Sequence, residues 1–433
     1  MVDLLGKARC FWLASLLALG TGALAGCVSD ASEEDDVVSG DDGTSEDDIT
    51  QVSHTKVKRQ SIGNCWLYAT TSWLEALNKA ATHEEVDTSE SWLTYWHWFE
   101  QIANGVVGNE ISTGGTYGTA ADLIERYGIM MEADFIPSEA NAEMSRRQEQ
   151  ALDAINRSLK DGKLSDRKAR RDRRLVREEL DAAWRLDENT RRRIDAVFGP
   201  GVERNFKNSV PANDVAAANN VIRPADFKAR LKDPETGKFV IGSLADAIGT
   251  GNGWFFPRKG KFAFNEVAYP SGAAQRRAFW KRVQRALHDE IPVMTSWKVD
   301  FNALTRDSRF SKAELDRRGP GKQGGHMTVM HDYEAEVPGF GLLKAGEQAT
   351  PEQMQAALSD DTKILFVRVK NSWGGIRPDR WDNAILPGYH DLEMEYLDGP
   401  IKECSTDANG ETNTNDCRRS VTPLWDVVLP AGY

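Results

Sequence analysis

The first fifty residues of this chain offer nothing to a packed core, and that division fixes where folding must happen. Residues 11–26 form an apolar run, preceded by Lys7 and Arg9 and interrupted only by small residues. As a helix, such a run reaches about 24 Å, short of a ~30 Å hydrocarbon layer. It therefore reads as a signal peptide and not as a membrane span. Residues 28–50 then carry ten Asp or Glu, no Lys or Arg, and almost nothing to bury. Like charges keep such a stretch extended, as a tether. A calcium-binding tail would need an Asp-x-Asp-x-Asp-Gly loop with a closing Glu, and this stretch has none.

All the material for a core lies in residues 51–433. The tether accounts for most of the formal charge of −12, so the body is close to neutral and its charge neither requires nor forbids a nucleic-acid or membrane partner. With 40% hydrophobic residues, 13 Trp and 16 Phe, the chain is neither disordered nor a polytopic membrane protein.

The apolar run ends in Leu24-Ala25-Gly26-Cys27, which resembles a bacterial lipobox. The resemblance implies cleavage before Cys27, lipid attachment to it, and a membrane anchor in the cell envelope. With Val28 and not Asp next, it points to the outer membrane or cell surface. Cys10 would leave with the signal peptide. Cys404 and Cys417 flank a polar run, 405–416, that reads as a loop, and they are a disulfide candidate worth roughly 3 kcal/mol in an exported protein. Cys65 is the odd one. In an oxidising compartment such a thiol is either used or deeply buried.

Gly63-Asn64 supplies a turn into a helix on which Trp66, Ala69, Trp73 and Leu77 share an apolar face, so Cys65 falls at its N-terminus. Helix N-terminal N–H groups stabilise a thiolate there, and can also hold an oxyanion. A structural cysteine would fit this window as well. Far along the chain, Gly324-Gly325-His326 opens a strand reaching Tyr333, and residues 364–370 form an apolar strand ending in Asn371-Ser372-Trp373-Gly374. Cys, His and Asn are a nucleophile, its base, and the group that orients the base.

Gly63-Asn64-Cys65-Trp66, His326 and Lys370-Asn371-Ser372-Trp373-Gly374 together resemble the three catalytic blocks of the papain superfamily of cysteine peptidases. Ile62 stands where papain-type signatures have a first Cys, and the spacing is wide; both features are closer to bleomycin hydrolase-like enzymes. The segments Gly114-Gly115, 120–124 and Tyr127-Gly128-Ile129 resemble the family's substrate-cleft segment, and 291–301 resembles the strand before the catalytic His. The resemblance touches about half the chain.

It implies an α+β fold of two lobes: a helical lobe holding Cys65, and an antiparallel sheet or barrel lobe holding His326 and Asn371, with the cleft between them. Cys65 would be the nucleophile, His326 the general base, and Asn371 its orienter. Trp373 would shield the His–Asn bond, Trp66 would support the site, and Gly114 and Gly115 would line the cleft. Gln60 would donate to the oxyanion, although it lies five residues before the cysteine where the family usually has six. The substrate would be a peptide or protein, and no cofactor or metal is expected. The same triad could instead serve an acyltransferase or amidase. A third reading is an inactive papain-like binding module, although all three catalytic positions are intact.

Cys65 and His326 are 261 residues apart, and much of the excess is a helical insertion at about 138–200. One helix there carries Leu152, Ile155 and Leu159, Gly162 breaks it, and a second carries Leu175, Leu180, Ala183 and Trp184. Arg170, Arg171, Arg173, Arg174, Arg191, Arg192 and Arg193 read as a solvated, salt-bridged face. No aromatic or Gly-rich recognition pattern accompanies them, so nucleic acid is not expected; a role in homo-oligomer contacts is the family analogy. His331 reads as a partly buried strand histidine and His97 as core. No inhibitory propeptide precedes Gln51, and residues 425–433 could block the cleft or pack along the sheet.

Overall fold

The computed structural model describes residues 52–251, 257–375, 386–406 and 411–433. The signal peptide, Cys27 and acidic tether expected within 1–50 lie outside the described residues. The fold is α+β.

A helix that is apolar on one stripe packs on one side, whereas one that is apolar nearly all round must run through the core. Cys65–Thr82 is of the second kind. From Cys65 to Asn78 only Ser72 escapes burial, so the single apolar face read from the sequence understates the helix. Its polar residues are bonded where they lie. Thr70 Oγ1 donates to Trp66 O, Thr71 Oγ1 to Glu90 Oε1, and Asn78 Nδ2 to Lys228 O. The second helix, Glu90–Ala103, starts where Ser89 Oγ accepts from the Trp92 N–H. It carries the aromatic run, and Trp96 stacks on Tyr127 of the third helix, Tyr117–Tyr127, with centroids 3.9 Å apart.

The other half of the core is a sheet. Its strands run, in spatial order, Phe264–Ala268, Leu424–Pro430, Val293–Asp300, Gln323–Val337, Lys363–Lys370, Tyr389–Glu393 and Arg309–Phe310. All neighbours are antiparallel except the last pair, which is parallel and so departs from the purely antiparallel expectation. Gly341–Leu343 folds back on the far end of Gln323–Val337. The C-terminal strand lies between two others, with Leu424, Val427, Val428 and Leu429 buried. Residues 425–430 therefore belong to the sheet, and this end of the chain is not held over a cleft.

Residues 138–200, read from the sequence as an insertion of two helices, form three α-helices: Arg146–Asp161, Arg173–Ala183 and Glu188–Phe198. Ile155, Leu159, Leu180 and Trp184 are buried, whereas Leu152 and Leu175 are only partly so. The solvated reading fails at Arg170, which is 3% exposed. Its guanidinium donates to Leu159 O and Leu164 O at the end of the first insertion helix, and to Val107 O and Gly108 O across the interface. An arginine can be buried in this way because its five donors match carbonyls left over at a helix end. Cys404 and Cys417 form a disulfide.

Candidate active site

The turn before the Cys65–Thr82 helix is clamped from several sides. The Arg59 N–H donates to Glu143 O (2.7 Å), the Gln60 N–H to Ser372 O (2.9 Å), and Ser61 Oγ to Ser145 O (2.8 Å). Asn64 Nδ2 reaches Thr94 Oγ1 and Gln148 Oε1, both at 3.0 Å. The helix therefore begins at a defined point, and Cys65 is its first residue. The side chain of Trp66 is anchored by Nε1 donating to Thr113 O (2.8 Å), and its ring meets His97 edge-on at 4.9 Å. Gly115 lies against that ring; a Cβ there would sit 2.5 Å from it.

His326 is carried by Gln323–Val337, paired with Trp297 of the neighbouring strand. The next residue, Met327, donates its backbone N–H to the Cys65 sulfur at 3.3 Å. The strand bearing the imidazole is thus in contact with the sulfur, although the Cys65 and His326 side chains are not hydrogen-bonded to each other. His326 Nε2 donates to Asn371 Oδ1 at 2.7 Å, while Nδ1 has no hydrogen-bond partner. Trp373 stacks on the imidazole (4.7 Å, 18°) and Trp297 meets it edge-on. Asn371 follows directly on the Lys363–Lys370 strand.

Gln60 is buried close by, but its amide is engaged. Oε1 accepts from Ser372 Oγ at 2.6 Å, and Nε2 donates to Ile62 O at 2.9 Å. Ser372 was not singled out in the sequence. It joins Gln60 to Asn371, since its own N–H donates to Asn371 Oδ1 at 2.7 Å. Only its place inside the Asn-Ser-Trp-Gly segment could have signalled it.

The site is dry. Cys65 is 0%, His326 2% and Asn371 3% exposed, where an open cleft was expected. Burial pulls the His326 imidazole down to about 4, against the Asn371 hydrogen bond, which raises it. Beside it, burial lowers the Lys370 ammonium to about 8, against Glu75. Lys58 goes the other way. Burial opposes its charge, but Glu90, Glu75 and Asp87 outweigh that and hold it well above the ordinary lysine range.

The remaining histidines read from the sequence lie apart from the His326–Asn371 pair. His331 is more buried than expected, its Nδ1 against Val52 O. His97 packs on Trp66, as core. Among the described residues, no group of three or more His, Cys, Asp or Glu side chains is arranged to hold a metal ion. No described helix is long and apolar enough to cross a membrane.

No protein-family model matches the chain, and no curated protein matches its sequence. Among solved structures, PepW from Lactobacillus rhamnosis aligns at 12% identity over 90% of this chain and 82% of that one, with a TM-score of 0.40. Xylellain, a cysteine protease from Xylella fastidiosa, aligns at 10% identity over 93% of this chain and 95% of its own, with a TM-score of 0.34. The clostridial cysteine protease Cwp84 aligns at 11% identity over 87% of this chain and 54% of its own, with a TM-score of 0.31. At such scores a likeness does not by itself assign a family or a chemistry.

Proposed function

We propose that this chain is a papain-like cysteine peptidase, with Cys65 as nucleophile, His326 as general base and Asn371 as its orienter. The observation that carries the reading is the junction of three distant segments. The Cys65 sulfur begins a helix and touches the histidine strand at Met327, while His326 Nε2 is fixed on Asn371 Oδ1. With a proton on Nε2, the neutral ring keeps its lone pair on Nδ1, the nitrogen that must take the thiol proton.

The chemistry then follows from the groups in place. In reduced protein the Cys65 thiol proton passes to His326 Nδ1 and the sulfur attacks a peptide carbonyl. The developing oxyanion is met by the Cys65 backbone N–H, with the Gln60 side chain as the second group at that position. The imidazolium protonates the leaving amine, and water releases the acyl group from the thioester. Trp373 covers the His–Asn bond and keeps water from competing for it. Ile62 in place of a first cysteine, together with the long insertion, supports a bleomycin hydrolase-like variant of the family. Cys27 would hold the enzyme to the envelope by lipid.

Reduced full-length protein should hydrolyse peptides and be labelled at Cys65 by an epoxide-type thiol probe. His326→Ala should lower both by about 10²–10⁴-fold. The occlusion of all three side chains favours the second reading, a closed domain used for binding. Absence of both labelling and hydrolysis in folded, reduced protein would reject the first.

A further inference from the structure

The orientation of Asn371 is not ambiguous, because one of its partners can only donate. The Ser372 backbone N–H lies 2.7 Å from one terminal atom of the amide, which must therefore be the oxygen. The same oxygen accepts from His326 Nε2. The opposite end, Nδ2, can only donate, and it lies 3.3 Å from His390 Nδ1. That ring nitrogen must consequently be an acceptor, which places the proton of neutral His390 on Nε2.

We infer that His390 is a positioning residue for the proposed catalytic base: it holds the Asn371 amide in the one orientation that keeps the His326 proton on Nε2 and the Nδ1 lone pair available to the thiol. The inference rests on the reading of Cys65, His326 and Asn371 given above. A carboxamide can be turned end for end at little cost in shape. Turned, it would present a donor to His326 Nε2 and favour the tautomer whose proton occupies Nδ1. The Ser372 N–H opposes that turn from one side and His390 from the other.

The placement of His390 suits the role. It lies on Tyr389–Glu393, directly across from Val369, one pair away from where the Lys363–Lys370 strand hands over to Asn371. It is 5% exposed, and its ring is held edge-on by Trp373 (5.2 Å, 80°) and tilted against Phe310 (5.9 Å). The same tryptophan that covers His326 therefore packs on both histidines, with Asn371 bonded between them. The adjacent carboxylate, Asp391, is taken up by the Arg368 guanidinium at 2.7 and 3.0 Å.

The test uses reduced full-length protein, steady-state hydrolysis of a peptide, and iodoacetamide alkylation of Cys65. His390→Asn can place an amide oxygen near the position of Nδ1. His390→Gln carries its polar end too far out, and His390→Phe keeps the ring volume without an acceptor. In the Gln and Phe variants kcat should fall about 10–100-fold, as when an outer-shell partner of a functional histidine is removed. KM should stay within about twofold and alkylation should slow in parallel, whereas the Asn variant should retain most of both rates. Equal impairment of Asn and Gln variants, a loss confined to KM, or wild-type rates in the Gln variant would overturn the inference. The Asn–Gln contrast decides the matter even if the Phe variant does not fold. If wild-type alkylation is itself insensitive to His326→Ala, the active-site reading fails, and the role of His390 fails with it.

Discussion

Gly115 shows how little room there is beside the sulfur. The Trp66 ring that a Cβ would strike is pinned through its indole N–H to Thr113 O and by His97 at its edge. It cannot swing away as the end of a flexible side chain would. Gly115→Ala should therefore destabilise the fold by about 1–3 kcal/mol, as overpacking does, and should slow Cys65 alkylation, because Trp66 is the next residue in the chain. Urea denaturation and an alkylation time course measure the two effects; an unchanged midpoint would show that the ring has a second rest position. At this scale the sequence was readable wherever chemistry sits in a short window. Cys65, His326 and Asn371 each stand in a local pattern of glycine, aromatic and strand residues. His390 and Ser372 were not legible as site residues, because their roles come from hydrogen bonds formed only when two strands and a turn meet. The engaged Gln60 amide was hidden for the same reason, since its partner Ser372 is 312 positions away.

At the scale of elements, the insertion is a buttress more than an appendage. Gln148, on its first helix, accepts from Asn64 and donates to Tyr68 and Ser91, and so supports the turn that delivers Cys65. Arg170 ties the end of that helix to residues 107 and 108, on the segment leading toward Gly114 and Gly115. Helical spacing gave the apolar side of these helices correctly at Ile155, Leu159, Leu180 and Trp184. It could not tell a solvated arginine from a buried one, because burial here depends on carbonyls contributed by another part of the chain. Arg170→Met keeps the length and removes five donors, stranding buried carbonyls that cost about 1–3 kcal/mol each when left unpaired. Partial rehydration will recover some of that, so a net loss of about 2–4 kcal/mol is expected, with faster amide exchange at the end of Arg146–Asp161. Unchanged exchange there would mean that the helix end does not depend on the guanidinium.

The molecule holds five of its seven histidines toward the neutral form, and this shapes its response to acid. Burial holds His97, His288, His326 and His331 near 4, and His54 well below its ordinary range, with Lys370 and His331 also acting against its charge. Unfolded, each would titrate near 6.5. Between those values the unfolded chain binds more protons than the folded one, so stability falls as the pH falls. By pH 5 each of the four held near 4 costs about 2 kcal/mol. Acids whose carboxyls burial raises oppose the trend, Glu90, Glu266, Asp300 and Glu334 among them. Burial raises Glu132 to about 8 and Asp426 to about 7, so the folded state takes up their protons first and gains stability on acidification, about 2–3 kcal/mol each from pH 7 to 5. Urea midpoints should fall from pH 7 to 5, by less than the histidines alone would give. In His288→Gln, which removes one of the five, the slope between pH 6.5 and 5 should flatten by about one proton's share, roughly 1.4 kcal/mol per pH unit. A midpoint that holds steady or rises over that interval would mean that these rings stay hydrated enough to carry charge, and that the interior around His326 opens more readily than its burial indicates.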